Sequence, residues 1–239
     1  MNALWAVVPA AGSGSRMASS ESKQYLKIGG RSLLDWSVGA LLAYPKLRAC
    51  VVAVPETDVQ QSREGSLGDA RVSFCAGGSS RAASVAAALA ALPAEDEDWV
   101  LVHDAARPCL APQDLHSLVQ NVSSTGVGGL LAVPITDTLK RADGQARVMT
   151  TIDRAGIWSA QTPQMFRVGE LRSALDAARE SGFVVTDEAS AMEAAGFDVQ
   201  LVQGSVANLK VTYASDMQLA AFWLKQIYPQ DGDMAGTEI

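Results

Sequence analysis

The chain is poor in the side chains that redox and metal chemistry draw on. Its 239 residues contain three cysteines, Cys50, Cys75 and Cys109, an odd number and widely spaced. That excludes a disulfide framework and a Cys-x-x-Cys metal site. Two histidines leave no credible nucleophile–base pair for covalent catalysis. No apolar run approaches the ~20 residues needed to cross a bilayer. Cations are scarce as well. The 19 Lys and Arg against 26 Asp and Glu give a formal charge of −7, which argues against a broad nucleic-acid face. A strand that begins by about Trp5 leaves no room for a signal peptide, so the expected setting is the reducing cytoplasm.

An acidic chain that binds anions must gather its few cations locally. Val7–Met17 reads Val-Val-Pro-Ala-Ala-Gly-Ser-Gly-Ser-Arg-Met, and Lys23 follows. The apolar strand ends at Pro9. The small residues Ala10, Ala11, Gly12, Ser13 and Gly14 then let backbone N–H groups close on a large anion. Arg16 and Lys23 add positive charge where a triphosphate would lie. A dinucleotide site would need a third glycine, but position 17 is Met. It would also need an acid at the end of the second strand, which reads Ala53-Val54-Pro55. The Gly-Lys-Ser/Thr of a P-loop is missing.

Strands and helices alternate through the first 135 residues. Strands are expected at Trp5–Val8, Cys50–Val54, Val72–Cys75, Trp99–His103 and Leu130–Val133, and helices at Leu33–Ala43, Ser84–Leu92 and Gln113–Val122. This rhythm predicts an α/β, Rossmann-like fold: a mainly parallel twisted sheet with helices on both faces, its ligands beyond the carboxyl ends of the strands. Between about 136 and 153 the rhythm breaks. Thr138–Lys140 and Val148–Ile152 flank a turn-forming Ala-Asp-Gly-Gln and read as a projecting β-hairpin, which could fold back on its own domain or embrace a second subunit. Helices at Val168–Ser181, Asp187–Ala195 and Ser215–Tyr228 and a strand at Val199–Val202 complete a single domain over 1–228. The acidic tail, 229–239, reads as disordered.

Four further clusters carry chemistry. In His103-Asp104-Ala-Ala-Arg107-Pro108 the Asp104 carboxylate leaves a strand's carboxyl end, where it could hold Mg²⁺ or pair with an arginine. His103 reads as structural. Gly77-Gly-Ser-Ser-Arg81 with Ser84 opens a helix whose N–H groups and hydroxyl could bond a base or ribose, or simply cap the helix. Thr186-Asp187-Glu188 is a good helix start with or without a ligand. Lys210, in Asn208-Leu-Lys-Val-Thr212, sits in what reads as a short apolar strand, where a charge needs an anionic partner.

Taken together, these elements resemble the 2-C-methyl-D-erythritol 4-phosphate cytidylyltransferase family of the non-mevalonate isoprenoid pathway. The match rests on Pro9–Met17, Lys23-Gln-Tyr25, Gly77–Arg81 with Ser84-Val85, and His103–Pro108. It continues in order through Asp137-Thr138, Asp153-Arg154, Gln161-Thr-Pro-Gln164, Thr186-Asp-Glu-Ala-Ser190 and Asn208–Thr212. The resemblance implies that Pro9–Gly14 hold CTP, with Gly78 and Ser84 at the cytosine and Arg16 and Lys23 at the phosphates. It implies Mg²⁺ on Asp104, and a methylerythritol phosphate surrounded by Asp104, Arg107, Thr138, Arg154, Thr162, Thr186 and Lys210. Arg16, Lys23, Arg154 and Lys210 would be catalytic. The family is a homodimer with an exchanged arm, so Thr138 and Arg154 would serve the partner's site. Ser22 stands where the family often has proline, and Ser79 lies near a position where it often has an acid.

The implied reaction needs no general base, because a phosphate monoester with a second pKa near ~6 is largely dianionic at neutral pH. Cytidylyl transfer to another polyol phosphate, such as ribitol 5-phosphate, would use the same fold and mechanism. An NAD-dependent oxidoreductase lacks its third glycine and ribose acid here. A non-catalytic nucleotide-binding regulator would have no use for Asp104 and Lys210.

Overall fold

The computed structural model describes residues 2–12, 22–59 and 68–229. The chain runs β1 (Leu4–Pro9), a small hairpin of β2 (Lys27–Ile28) and β3 (Arg31–Ser32), α1 (Leu33–Leu42), β4 (Leu47–Val54) and β5 (Val72–Ala76). It continues through α2 (Arg81–Ala91), β6 (Trp99–Val102), α3 (Pro112–Thr125) and β7 (Gly129–Pro134). The hairpin strands β8 (Leu139–Ala142) and β9 (Val148–Ile152) follow, then β10 (Trp158–Arg167), α4 (Val168–Ser181), α5 (Glu188–Ala194), β11 (Gln200–Gln203) and α6 (Ala214–Ile227).

Seven strands form one sheet in the order β11-β7-β10-β6-β1-β4-β5. Only β10 runs antiparallel to its neighbours; the other pairings are parallel. β1 and β6 are apolar throughout because both of their faces are covered. In β1, Leu4, Ala6 and Val8 pack towards α1 and α3, while Trp5 and Val7 pack towards α2, α4 and α5. Each of these buried side chains contributes on the order of 1.5–3 kcal/mol of transfer free energy if large and apolar. A third cluster joins Leu33 and Trp36 of α1 to Ala220 and Leu224 of α6.

From β1 the chain moves outwards to β4 and β5, then returns through β6 on the other side of β1. The carboxyl ends of β1 and β6 therefore flank the point where strand order reverses, the usual ligand crevice of such sheets. Helix ends follow from local chemistry. Ser32 and Asp35 make a reciprocal capping box on α1, Ser80 caps α2 by accepting from Ala83 N, and Gly126 ends α3 with φ +74°.

One element has no counterpart among the expected ones and one expectation fails. β10 carries the polar residues Gln161, Thr162 and Gln164 in its buried interior, so it shows no apolar run. Lys210 does not lie in a strand; Asn208–Thr212 is irregular. That segment is fastened by Val211 N donating to Ala106 O (2.8 Å) rather than by a ladder. β8 and β9 pair with each other as a two-stranded sheet of their own, with Val148 and Met149 about two-thirds exposed. Residues 230–239 of the acidic tail lie outside the described residues.

Candidate active site

The loop leaving β1 is fixed at its root. Ala10 N donates to Ala53 O (2.7 Å), and the buried Gln24 side chain donates to Ala10 O (2.8 Å). Across from it, the Gly77–Ser80 turn leads into α2. Here small residues are required by contact: a Cβ on Gly77 would lie 2.4 Å from the Ala11 Cβ, and one on Gly78 2.4 Å from the Ala83 Cβ. The buried Ser84 hydroxyl accepts from Gly78 N (3.1 Å) and donates to Ser80 O (2.9 Å), so it holds the turn in shape. Pro9–Gly12, this turn, Lys23 and Asp104 line a cavity of about 570 Å³.

A second cavity, about 220 Å³, is lined by Arg107, Ala160–Thr162, Gln164 and the start of α5 at Thr186 and Asp187. Arg81, Asp104 and Lys210 line both. Asp104 is the hub of this shared wall. Its backbone N–H donates to the Thr162 hydroxyl (3.0 Å). One carboxylate oxygen accepts from Arg81 Nε (2.9 Å), and the other lies 2.6 Å from Lys210 Nζ. Burial pushes this carboxyl up, but Arg81, Lys210 and Arg107 outweigh burial and hold it well below the ordinary carboxylate range.

The remaining cations are also held. Lys23 Nζ donates to Val211 O (2.8 Å), which ties the first loop to the segment carrying Lys210. Arg107 donates to Asn208 O (2.7 Å) and Ala160 O (3.3 Å), while its buried Nε has no protein partner. Burial lowers the Arg107 pKa, with Asp104 opposing. His103 is fully buried, and burial lowers its pKa to about 4. A neutral ring must donate from Nε2 to the Arg107 carbonyl (3.1 Å), so Nδ1 accepts from the Thr162 hydroxyl (3.0 Å). It is a structural brace, as its sequence context indicated.

The two crevices thus meet at one carboxylate and the two cations that hold it, Arg81 and Lys210. The family model for 2-C-methyl-D-erythritol 4-phosphate cytidylyltransferase (IspD) matches residues 4–226. The chain belongs to this family. It is 49% identical over 227 residues to a Pseudomonas fluorescens 2-C-methyl-D-erythritol 4-phosphate cytidylyltransferase, covering 94% of this chain and 95% of that one. It is 50% identical over 224 residues to the Azoarcus enzyme of the same name, at 92% and 93% coverage. The crystal structure of the Francisella tularensis 2-C-methyl-D-erythritol 4-phosphate cytidylyltransferase superposes with a TM-score of 0.82 at 33% identity, over 93% of this chain and 100% of that one. Family membership disposes of the dinucleotide-dependent oxidoreductase reading.

Measured against this geometry, Pro9, Ala10, Ala11, Gly12, Lys23, Gly78, Ser84, Asp104 and Lys210 line the larger cavity, and Arg107, Thr162 and Thr186 the smaller. Ser13, Gly14 and Arg16 lie outside the described residues. Thr138 and Arg154 line neither cavity; Arg154 donates to the Thr136 carbonyl at the root of the hairpin. The sequence reading assigned no role to Arg81 or Glu188. Arg81 grips the fully buried Glu188 with two hydrogen bonds, 2.7 and 3.0 Å. The signal was present: Glu188 precedes Met192 by four residues and shares the buried stripe of α5 with Ala189 and Ala191. A carboxylate there requires a buried cation.

Proposed function

We propose that this chain transfers the cytidylyl group of CTP to 2-C-methyl-D-erythritol 4-phosphate and releases pyrophosphate, with CTP in the larger cavity and the sugar phosphate in the smaller. The wall shared by the two cavities carries this reading, because it allows an acceptor phosphate to approach the α-phosphate of CTP directly. An oxygen of the acceptor phosphate forms the new bond to the α-phosphorus. The bond from that phosphorus to the β-bridging oxygen breaks, and its electron pair leaves with pyrophosphate. No proton has to be removed from a dianionic phosphate.

The barrier is electrostatic. Like unit charges 4 Å apart repel by about 4 kcal/mol at an effective dielectric of 20, so several cations must offset the approach while aligning the reacting atoms. Arg16 and Lys23 are assigned to the α-phosphate and leaving pyrophosphate, and Arg107, Thr162, Thr186 and Lys210 to the acceptor. Lys210 is about two-fifths exposed and held at one Asp104 oxygen, so it can exchange that partner for a phosphate.

Mg²⁺ is implied by the family. Among the described residues no three His, Cys, Asp or Glu side chains are grouped to hold a metal. A lone carboxylate suits Mg²⁺ only where the substrate's phosphate oxygens complete the shell. Asp104 meets that condition once Lys210 leaves its second oxygen. When bound, the ion would neutralise charge on the transferring phosphates.

The hairpin is assigned to a homodimer in which it reaches the neighbouring site and delivers Thr138 and Arg154. Its separate sheet and exposed Val148 and Met149 support this, since a lone hairpin is marginal without something to pack on. The three free thiols suit a reducing, cytoplasmic setting, and no helix among the described residues is long and apolar enough to cross a membrane. Pyrophosphate release from CTP and Mg²⁺ tests the reading across a panel of acceptors. Release with 2-C-methyl-D-erythritol 4-phosphate is expected; release with ribitol 5-phosphate alone would reassign the substrate.

A further inference from the structure

Arg81 has a guanidinium on the wall common to both cavities, and all three of its nitrogens donate to carboxylates of the protein. Nε holds Asp104 at 2.9 Å, and the two terminal nitrogens hold the two Glu188 oxygens at 2.7 and 3.0 Å. Glu188 cannot follow a moving partner. It is the first residue of α5, is completely buried, and its helix start is pinned to β10: Gln164 accepts from Ala189 N (2.8 Å) and donates to Asp187 (2.9 Å). The other end of the bridge, Arg81, is the first residue of α2, directly after the turn that lines the larger cavity. Thr186 and Asp187, just before Glu188, line the smaller one. One guanidinium therefore joins the helix that frames one cavity to the helix that frames the other, and holds Asp104 between them.

We propose that Glu188 is a positioning residue for the transfer: it commits Arg81 to Asp104 and prevents it from becoming a ligand of either phosphate. The inference rests on the functional reading above. Charge explains why a carboxylate is needed. Arg81, Arg107 and Lys210 set three positive charges against Asp104 and Glu188, a cluster of net +1. With glutamine at 188 the cluster is +2 and the two-bond fork is lost, because the amide keeps one acceptor oxygen and sets an NH2 donor against the guanidinium. Arg81 then turns to the nearest phosphate, ground-state binding is maintained, and Asp104 loses the partner that aims it. A change of this kind lowers kcat while leaving KM unchanged or reduced, whereas loosened structure raises KM.

The test measures steady-state kinetics of the wild-type full chain, Glu188→Gln, Arg81→Lys, Asp104→Asn and Asp104→Asn/Glu188→Gln with CTP, Mg²⁺ and 2-C-methyl-D-erythritol 4-phosphate. Wild-type turnover checks the functional reading first, so its failure is separate from failure of the inference. Glu188→Gln is expected to lose kcat at least ~10-fold with both KM values within about three-fold or lower. In the Asp104→Asn background the same change should cost under about two-fold, because Glu188 acts through Asp104. An unchanged kcat, KM values raised in step with the loss, or full additivity in the double variant would overturn the proposal. Where Glu188→Gln yields no folded protein, Arg81→Lys decides. It keeps the charge but not the fork, and a kcat equal to wild type overturns the proposal while a lowered kcat with retained KM supports it.

Discussion

Lys23 does two things at once. Its side chain lines the larger cavity, and its ammonium also clasps the Val211 carbonyl on the segment that carries Lys210. Lys23→Ala should therefore lower kcat by on the order of 100-fold, the usual loss for one preorganised donor at developing charge. KM for the sugar phosphate should change only a few-fold, and initial-rate kinetics read both. A thiol prediction belongs to the same scale. Burial pushes Cys50 and Cys109 up to about 12. Both are then raised above the unfolded value near ~8.5, so their contribution is complete below that pH and is lost as pH rises towards 12. Each thiol should cost about 1.4 kcal/mol of stability per pH unit across that window. Denaturant titrations at pH 8.5, 9.5 and 10.5 should show a steeper fall for the wild type than for Cys50→Ala/Cys109→Ala.

At the scale of elements, the shape of the larger cavity depends on two turns that approach within the reach of a methyl group. Gly77→Ala would set its Cβ 2.4 Å from that of Ala11 and 2.9 Å from the Ser84 hydroxyl. The turns must part, so KM for CTP should rise at least ~10-fold while KM for the acceptor rises less. Substrate-variation kinetics check this split. The same scale shows what could be read from sequence. β1, β4 and β6 are covered on both faces and so appear as apolar runs, and the chemistry at the ends of β1 and β6 is written in small residues, Lys23 and Asp104. β10 was hidden because it satisfies its buried amides with tertiary partners: Gln161 donates to Ser205 O, and Asn208 donates to Thr162 O. Lys210 resembled a strand residue because Leu209 and Val211 flank it. Val211 is apolar for a different reason, its place in the cluster under α6. The bridge from Arg81 to Glu188 spans over a hundred residues, and no local pattern joins its ends.

At the scale of the whole molecule, Thr138 and Arg154 stand apart from the cavities of their own chain, and the hairpin that carries them is exposed. If each arm completes the neighbouring site, Arg154→Ala and Lys23→Ala proteins, each nearly inactive, should recover about a quarter of wild-type activity when mixed and allowed to exchange subunits. Half of the dimers would then hold one site with both residues intact. No recovery, with exchange confirmed, would assign a complete site to one chain.

The claim on which these scales converge is that the two cavities bring one phosphate directly onto another, with no protein nucleophile between them. The most direct measurement is the stereochemical course at the α-phosphorus, using one diastereomer of CTP carrying sulfur at that position. A single in-line displacement predicts a product of inverted configuration. Retention would require two displacements through a covalent cytidylyl-protein and would contradict the account.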